Sequence, residues 1–206
     1  MVSIRESISG LVPFIRKRKG VSSLDPFTGI ATVMPWDISG FSGAVEGCTS
    51  EDLLTVLAGE VSSCDRSVER ASGHVLQSMG DAGPALWLPA LVNPSHAQLA
   101  FQCGATICSR LARPKSSGLS PHLRIALGTG QLTGRFILGR YQVFGVARAT
   151  AERLQRLDLQ RRTSMLYTSE TLALIWDLVP QTEPVAKFTK TTGEEVQVFE
   201  YCDDGT

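Results

Sequence analysis

Short apolar runs alternate with longer segments of helical spacing along most of the chain. The apolar runs end at glycine, proline or a polar residue, which is typical of strands. They predict strands at 29–36, 74–79, 83–89, 123–130, 133–138, 140–145 and 164–169, and a terminal hairpin at 185–201 that turns near Gly193. Helical spacing predicts helices at 51–64, 95–111, 147–160 and 170–178. This order predicts an α+β or mixed α/β fold in which helices cover one side of the sheet.

The composition is that of an ordinary globular protein. Charged residues make up 19% and apolar residues 43% of the chain, and the formal net charge is zero. Such values exclude a disordered chain and do not indicate a nucleic-acid partner. At 206 residues one domain is expected, and we assign it to residues 29–206. Residues 1–28 form a basic N-terminal segment, which we interpret as a short helix packed on the domain or, alternatively, as an amphipathic helix that lies on a membrane or partner.

The cysteines and the N-terminus predict a cytoplasmic protein. Five cysteines are present without a CxxC pair, which argues against both a disulfide framework and a zinc site. The first twenty residues lack the apolar stretch that a signal peptide or a membrane span needs. We therefore expect reduced thiols and no stable membrane span.

Two aspartates lie where predicted strands end or turn. Asp37 follows the apolar run 29–36, and Asp81 lies in a Gly-Asp turn between two strands. Mg²⁺ held with a triphosphate is commonly bound by one or two carboxylates, and two such ions can support an in-line displacement. An aspartate at such a position is, however, more often a turn former or a helix cap. The three histidines, His74, His96 and His122, are scattered, and we interpret each as a surface or strand residue.

Four segments resemble, in the same order, the motifs of class III nucleotide cyclases. WDISGFS (36–42) is similar to the DIxGFT motif, and GHVLQSMGDAGPALW (73–87) to GxxxKxxGDxxxAxF. LRIALGTGQLTG (123–134) resembles RIGIHTGxxxxG, and YQVFGVARATAERL (141–154) aligns without a gap to YDVWGDTVNLASRM. The resemblance covers residues 29–201, and an ordered set of four motifs is more specific than any one of them.

The resemblance implies a fold, a reaction and an assembly. The fold would be a ferredoxin-like βαββαβ core with a mixed sheet and a C-terminal hairpin. The reaction would convert a nucleoside triphosphate into a 3′,5′-cyclic nucleotide and pyrophosphate with two ions of Mg²⁺ or Mn²⁺. The partner would be a second copy of the chain in a twofold homodimer, with the metal aspartates of one subunit facing the base-reading and arginine positions of the other.

The resemblance also implies which residues bind the metal and the triphosphate. Asp37 and Asp81 would bind the two metal ions, with the backbone carbonyl of Ile38 as a third ligand. Backbone N–H groups of a glycine-containing turn would hold the β- and γ-phosphates. This turn comprises Gly40, Phe41 and Ser42.

Three arginines receive separate interpretations. Arg153 aligns with the family's transition-state arginine, where a guanidinium stabilises charge on the transferring phosphoryl group. Its alternative is a solvated helix arginine. Arg140 would bind the triphosphate from a short hairpin, whereas Arg124 is predicted to form a structural ion pair.

Three positions depart from the family pattern. Gln77 replaces the base-reading lysine of adenylate cyclases, and Val146 replaces its aspartate or threonine partner, so the hydrogen-bonding code for adenine is lost. Ala149 replaces the transition-state asparagine, which removes a side chain that orients the ribose. The first two changes fit the bacterial pyrimidine cyclases of antiphage defence, which make cyclic UMP or CMP, and this is the preferred hypothesis. An adenylate or guanylate cyclase and an inactive dimerisation module are the alternatives.

Overall fold

The described residues of the chain form one extended sheet with four helices. A computed structural model describes residues 26–39, 50–76, 82–89, 95–112, 122–138, 140–157, 164–180 and 183–202. The strands within these ranges are β1 (Phe27–Ser39), β2 (His74–Val75), β3 (Ala82–Trp87), β4 (His122–Ile137), β5 (Arg140–Gly145), β6 (Ser164–Thr168), β7 (Ala186–Thr189) and β8 (Glu195–Tyr201). The helices are α1 (Ser50–Arg70), α2 (His96–Ala112), α3 (Val146–Gln155) and α4 (Ser169–Ile175).

The sheet is mixed, with β1 and β4 at its centre. Its strand order is β2-β3-β1-β4-β6-β8-β7, and β5 pairs with β4 outside this path. The β4–β6 pair is parallel and the other pairs are antiparallel. Read from β1 to β4, the element order is βαββαβ, and β7 and β8 form a C-terminal hairpin. The predicted α+β class, mixed sheet and terminal hairpin are confirmed.

Helices pack on both faces of the sheet, contrary to the one-sided cover predicted from the sequence. Met34, Trp36 and Ile38 of β1 share a core with residues of α1, α2 and α4. Ala31 and Val33 point to the opposite face, because successive side chains of a strand alternate, and they pack with residues of α3. The sequence prediction was wrong because the apolar run of β1 is buried on both faces and shows no alternation.

One strand replaces two predicted ones at the centre of the sheet. The predicted strands 123–130 and 133–138 form the continuous 16-residue β4. Its first half lies between β1 and β6, and its second half lies between β1 and β5. The β4–β5 hairpin pairs Ile137 with Arg140, so the chain reverses direction soon after Ile137. Leu138 in that turn has a positive φ of 50° and is 98% exposed.

Two glycines allow α3 to lie against β4. A Cβ at Gly128 would lie 2.3 Å from the carbonyl oxygen of Ala147, so only glycine fits this close helix–strand contact. Gly145 precedes α3 with a φ of 138°, which other residues rarely adopt. The chain can therefore turn sharply from β5 into a helix that is packed on the neighbouring strand.

The remaining boundaries agree with the sequence pattern to within a few residues. α1 begins within one residue of the predicted start at 51 and is longer than expected, because its apolar spacing continues to Val68 in the core. β2 has two described residues, and the predicted Gly80–Asp81 turn lies outside the described ranges. None of the helices in the described part of the chain is long and apolar enough to span a membrane.

Candidate active site

Asp37 lies near the end of β1, between two partner strands. Its Cα is registered with Ala82 of β3 on one side and with Arg124 of β4 on the other. The strand continues to Ser39, so Asp37 is not its last residue as the sequence predicted. The side chain is 22% exposed, which leaves the carboxylate accessible at the sheet surface.

Arg124 forms the ion pair that the sequence predicted, and its partner is Asp37. The Nη2 atom of Arg124 donates to Oδ2 of Asp37 at 2.5 Å. The described residues place no donor on the other oxygen, Oδ1. Within the described part of the chain, one oxygen of the carboxylate is engaged with a cation and the other is left for a further ligand.

The other predicted ligands of metal and phosphate are only partly described. The Ile38 side chain is buried in the core, so this residue can offer a ligand only through its backbone carbonyl. The remaining predicted ligands lie outside the described residues, and their roles stay predictions. These residues are Asp81, Gly40, Phe41 and Ser42, together with the base-pocket residue Gln77.

Three positions of the last motif share the exposed face of α3. Val146, Ala149 and Arg153 follow one another at helical spacing and are exposed. The buried face of this helix consists of Ala147, Thr150, Ala151 and Leu154. The helix therefore presents the predicted base-pocket, ribose and phosphoryl positions together, away from its own core.

Arg153 is held in place by the C-terminal hairpin. Its Nη1 atom donates to the carbonyl oxygen of Thr189 at 2.8 Å, and its guanidinium carbon lies 4.5 Å from the centre of the Phe188 ring. A stacked and hydrogen-bonded guanidinium has fewer accessible rotamers than a solvated one. Arg153 is thus exposed but oriented by the hairpin, and its catalytic role stays a prediction.

One chain does not bring its predicted site residues together. Asp37 lies on β1 and the Arg153 guanidinium lies at β7, four interstrand spacings apart, which corresponds to about 19 Å. Arg140 pairs with Ile137, 13 residues along β4 from Arg124, which corresponds to about 43 Å. The three groups cannot contact one triphosphate within a single chain.

The described residues supply part of a binding site for a divalent cation. Asp37 offers the hard carboxylate oxygen that Mg²⁺ and Mn²⁺ prefer. Among the described residues, no group of three or more His, Cys, Asp or Glu side chains could hold a metal ion. A site built on Asp37 therefore needs oxygen ligands from elsewhere, such as a backbone carbonyl, Asp81 or the substrate phosphates.

A buried polar chain beside the core was missed by sequence reasoning. Thr32 Oγ1 lies 2.8 Å from Nδ1 of His96 and 2.9 Å from Oγ1 of Thr129, and the Thr171 hydroxyl donates to Thr129 at 3.0 Å. His96 begins α2 and is buried, so its interpretation as a surface or strand histidine was wrong. Burial lowers the pKa of His96. Threonines at core positions of two predicted strands were the available signal.

Comparisons with known proteins point to cyclases. No family model matches the chain. Adenylate cyclase 1 of Rhizobium meliloti (strain 1021) is 27% identical over 186 residues, which cover 82% of this chain. The chain spans only 27% of the length of that relative.

Two solved structures share the fold. The adenylyl cyclase CyaB from P. aeruginosa has a TM-score of 0.70 and 20% identity, covering 88% of this chain and 97% of that one. The guanylate cyclase domain of RhGC from Catenaria anguillulae, in complex with GTP, has a TM-score of 0.69 and 20% identity, covering 83% and 94%.

The chain therefore has the fold of these cyclase structures, and its motif order and the curated relative agree with the resemblance to class III nucleotide cyclases. Within that class, the matched proteins are adenylate and guanylate cyclases, which are lyases.

Proposed function

We propose that this chain is a nucleotide cyclase whose active site is completed by a second copy. The ribose 3′-oxygen attacks the α-phosphorus, the bond between that phosphorus and the pyrophosphate oxygen breaks, and the 3′-hydroxyl proton passes to solvent. The products are a 3′,5′-cyclic nucleotide and pyrophosphate. The observation that carries this proposal is the separation of Asp37 and Arg153 by about 19 Å on one chain, although both are accessible.

A twofold dimer would unite these separated groups. Asp37 of one subunit would face the exposed α3 residues of the other, and symmetry would create two equivalent sites. Arg153 would stabilise the charge that develops on the transferring phosphoryl group. Ala149 offers no hydrogen bond to the ribose, so we expect slower turnover than in cyclases that carry asparagine there.

Exposed apolar residues support this assembly. Six of the exposed apolar residues lie on β1, on the β4–β5 hairpin and at the start of α3, whereas others lie elsewhere; the six are Ile30, Phe136, Ile137, Leu138, Phe144 and Val146. The register places Ile30 opposite Gln131 and Phe144 opposite Thr133, so these two side chains lie on one face of the sheet, on either side of β4. Exposed apolar side chains grouped in this way are typical of surfaces that bind another protein.

The metal would be bound by Asp37, the carbonyl of Ile38 and Asp81. When bound, Mg²⁺ or Mn²⁺ supplies Lewis-acid stabilisation of the reacting phosphate oxygens. The protein residues contribute the oxygen ligands, and Arg153 contributes a fixed positive charge from the opposite side. This division of roles needs no histidine as a general base.

The next part of the proposal concerns which base the nucleoside triphosphate substrate carries. The matched proteins are adenylate and guanylate cyclases, and one of them was solved with GTP, which favours a purine triphosphate. The exposed Val146 favours a second candidate, a pyrimidine triphosphate, because this side chain cannot make the hydrogen bond that an aspartate or threonine makes to adenine. A role in antiphage defence belongs to this second candidate alone.

A cytoplasmic location is the simplest one for a nucleoside triphosphate substrate. Among the described cysteines, Cys64, Cys103 and Cys108 are buried thiols that form no disulfide. Burial raises the pKa of Cys64 to about 11 and that of Cys103 to about 12. Such thiols are poorly reactive and are compatible with a reducing compartment.

The test is incubation of the purified protein with ATP, GTP, CTP or UTP and Mn²⁺, with the products identified by mass spectrometry. Cyclic AMP or GMP as the main product supports the purine candidate, and cyclic UMP or CMP supports the pyrimidine one. Asp37→Ala and Asp81→Ala should each abolish product formation while the domain remains folded. If no substrate gives a cyclic product in a verified dimer, the chain is an inactive dimerisation module and the proposal fails.

A further inference from the structure

Arg124 places a positive charge directly on the predicted metal ligand Asp37. The two residues lie opposite each other in the β1–β4 pair, and Nη2 of Arg124 lies 2.5 Å from Oδ2 of Asp37. Their side chains are only 36% and 22% exposed, so solvent screens this pair less than a fully exposed one. The negative charge of Asp37 is thus largely offset before any other cation arrives.

The position of Arg124 is fixed by the sheet. Its backbone lies between β1 and β6, where it pairs with Asp37 on one side and with Ser164 on the other. Its Nε atom is buried and has no acceptor among the described residues. Within the described part of the chain, Asp37 is therefore the anion that orients this guanidinium.

We propose that Arg124 is a positioning residue that makes metal binding depend on the triphosphate. The inference rests on the proposed function, because it takes Asp37 as a ligand of the catalytic cation. Arg124 holds Oδ2 and leaves Oδ1 for the cation, while its charge weakens cation binding to the free protein. The triphosphate brings the negative charge that overcomes this repulsion, so cation and nucleotide bind together.

The expected size follows from Coulomb's law. A unit charge about 6 Å from a divalent cation in a water-like dielectric weakens binding by about tenfold, and more in a less polar surrounding. Loss of the hydrogen bond to Oδ2 also lets the Asp37 carboxylate rotate more freely, which weakens cation binding. This effect is smaller than the gain from removing the repulsive charge. Removing the charge should therefore tighten cation binding in the absence of nucleotide.

The experiment measures Mn²⁺ binding to the purified protein without nucleotide, using the electron paramagnetic resonance signal of free Mn²⁺. Arg124→Gln should bind Mn²⁺ at least about tenfold more tightly than the wild type. Arg124→Lys, which keeps the charge, should remain within about threefold of the wild type. Arg135→Gln is the matched control, because Arg135 is an exposed arginine of the same strand, and it should change nothing.

Each outcome decides the matter. Equal or weaker Mn²⁺ binding by Arg124→Gln, or no saturable binding by any variant, overturns the proposal. If Arg124→Gln does not fold, Arg124→Thr carries the same expectation, because threonine suits a strand. A wild type that binds Mn²⁺ as expected but makes no cyclic product would instead contradict the proposed function, so the two failures are distinguishable.

Discussion

His96 shows how one buried side chain links folding to pH. It is 8% exposed and its Nδ1 contacts the Thr32 hydroxyl within the core. Burial lowers the pKa of His96 in the folded protein, whereas the unfolded chain takes up the proton near pH 6.5. Between these two values the unfolded state binds more protons, so stability rises with pH and falls on acidification.

We therefore expect the wild type to lose stability between pH 7.5 and 5.5 through this residue. His96→Asn, which keeps a hydrogen-bonding group near Thr32, should lose less over the same range. Thermal melting of both proteins at pH 7.5, 6.5 and 5.5 measures the difference. Identical pH profiles would show that folding does not lower the pKa of His96, and staying above pH 5.5 avoids most carboxylate titration.

Substitution of Arg153 is expected to have a large effect on turnover. Arg153→Lys keeps a positive charge but loses the planar guanidinium fork, so we expect kcat to fall on the order of 100-fold. The contacts with Phe188 and Thr189 are at an exposed site, so stability should change by about 1 kcal/mol or less.

Steady-state kinetics and thermal melting of Arg153→Lys separate these two effects. Arg156→Lys is the control, because Arg156 is an exposed arginine at the end of the same helix with no assigned role. A normal kcat in Arg153→Lys would leave Arg153 as a structural contact to the C-terminal hairpin.

The α3–β4 contact is the element whose packing tolerates least change. A Cβ at Gly128 would meet backbone atoms of α3, which cannot move as a flexible side chain can. Gly128→Ala should destabilise the protein by about 1–3 kcal/mol, because the helix must shift away from the strand. Urea unfolding measures this loss.

Gly59 provides the matched control for this substitution. It lies in α1 with open space around its Cα, so Gly59→Ala should stabilise the protein by about 0.5–1 kcal/mol. If both variants shift the unfolding midpoint in the same direction, the close contact of α3 with β4 is not what limits position 128.

The element boundaries show what the sequence pattern could and could not supply. Gly128, Gly130 and Gly134 interrupt the apolar pattern of β4, so the pattern predicted two strands. A local pattern cannot reveal that β1 pairs with β4 from His122 to Gly134. The helices were predicted because their apolar spacing is local. The packing of α3 on the second face of the sheet was not predicted, because β1 is apolar on both faces and its sequence shows no alternation.

At the scale of the whole molecule, the site was predicted as a set of residues but not as an arrangement. The resemblance named Asp37 and Arg153, and the ion pair of Arg124 was expected without its partner. Their separation across four interstrand spacings depends on strand order, which no local motif encodes. Sequence reasoning reached the two-chain site only through the resemblance.

Mixing two inactive variants tests this two-chain site. Asp37→Asn and Arg153→Ala should each be inactive alone, because each removes one half of both sites. After subunit exchange at equal amounts, half of the dimers are mixed and each contains one intact site, so about a quarter of the wild-type activity should return. Activity is measured after brief unfolding and refolding of the mixture. No recovery in a mixture that contains mixed dimers contradicts a shared site.

The central position of β1 also has a consequence for synthesis on the ribosome. One edge of this strand pairs with β3, which ends at residue 87, but its other edge waits for β4, which reaches residue 134 in the register. At about 5–20 residues per second, that edge stays open for several seconds while the intervening chain is made. An open apolar strand edge can pair with other nascent chains. Fast decoding between residues 88 and 134 should therefore favour soluble yield, and the pair of Asp37 with Arg124 can form only once residue 124 has been made.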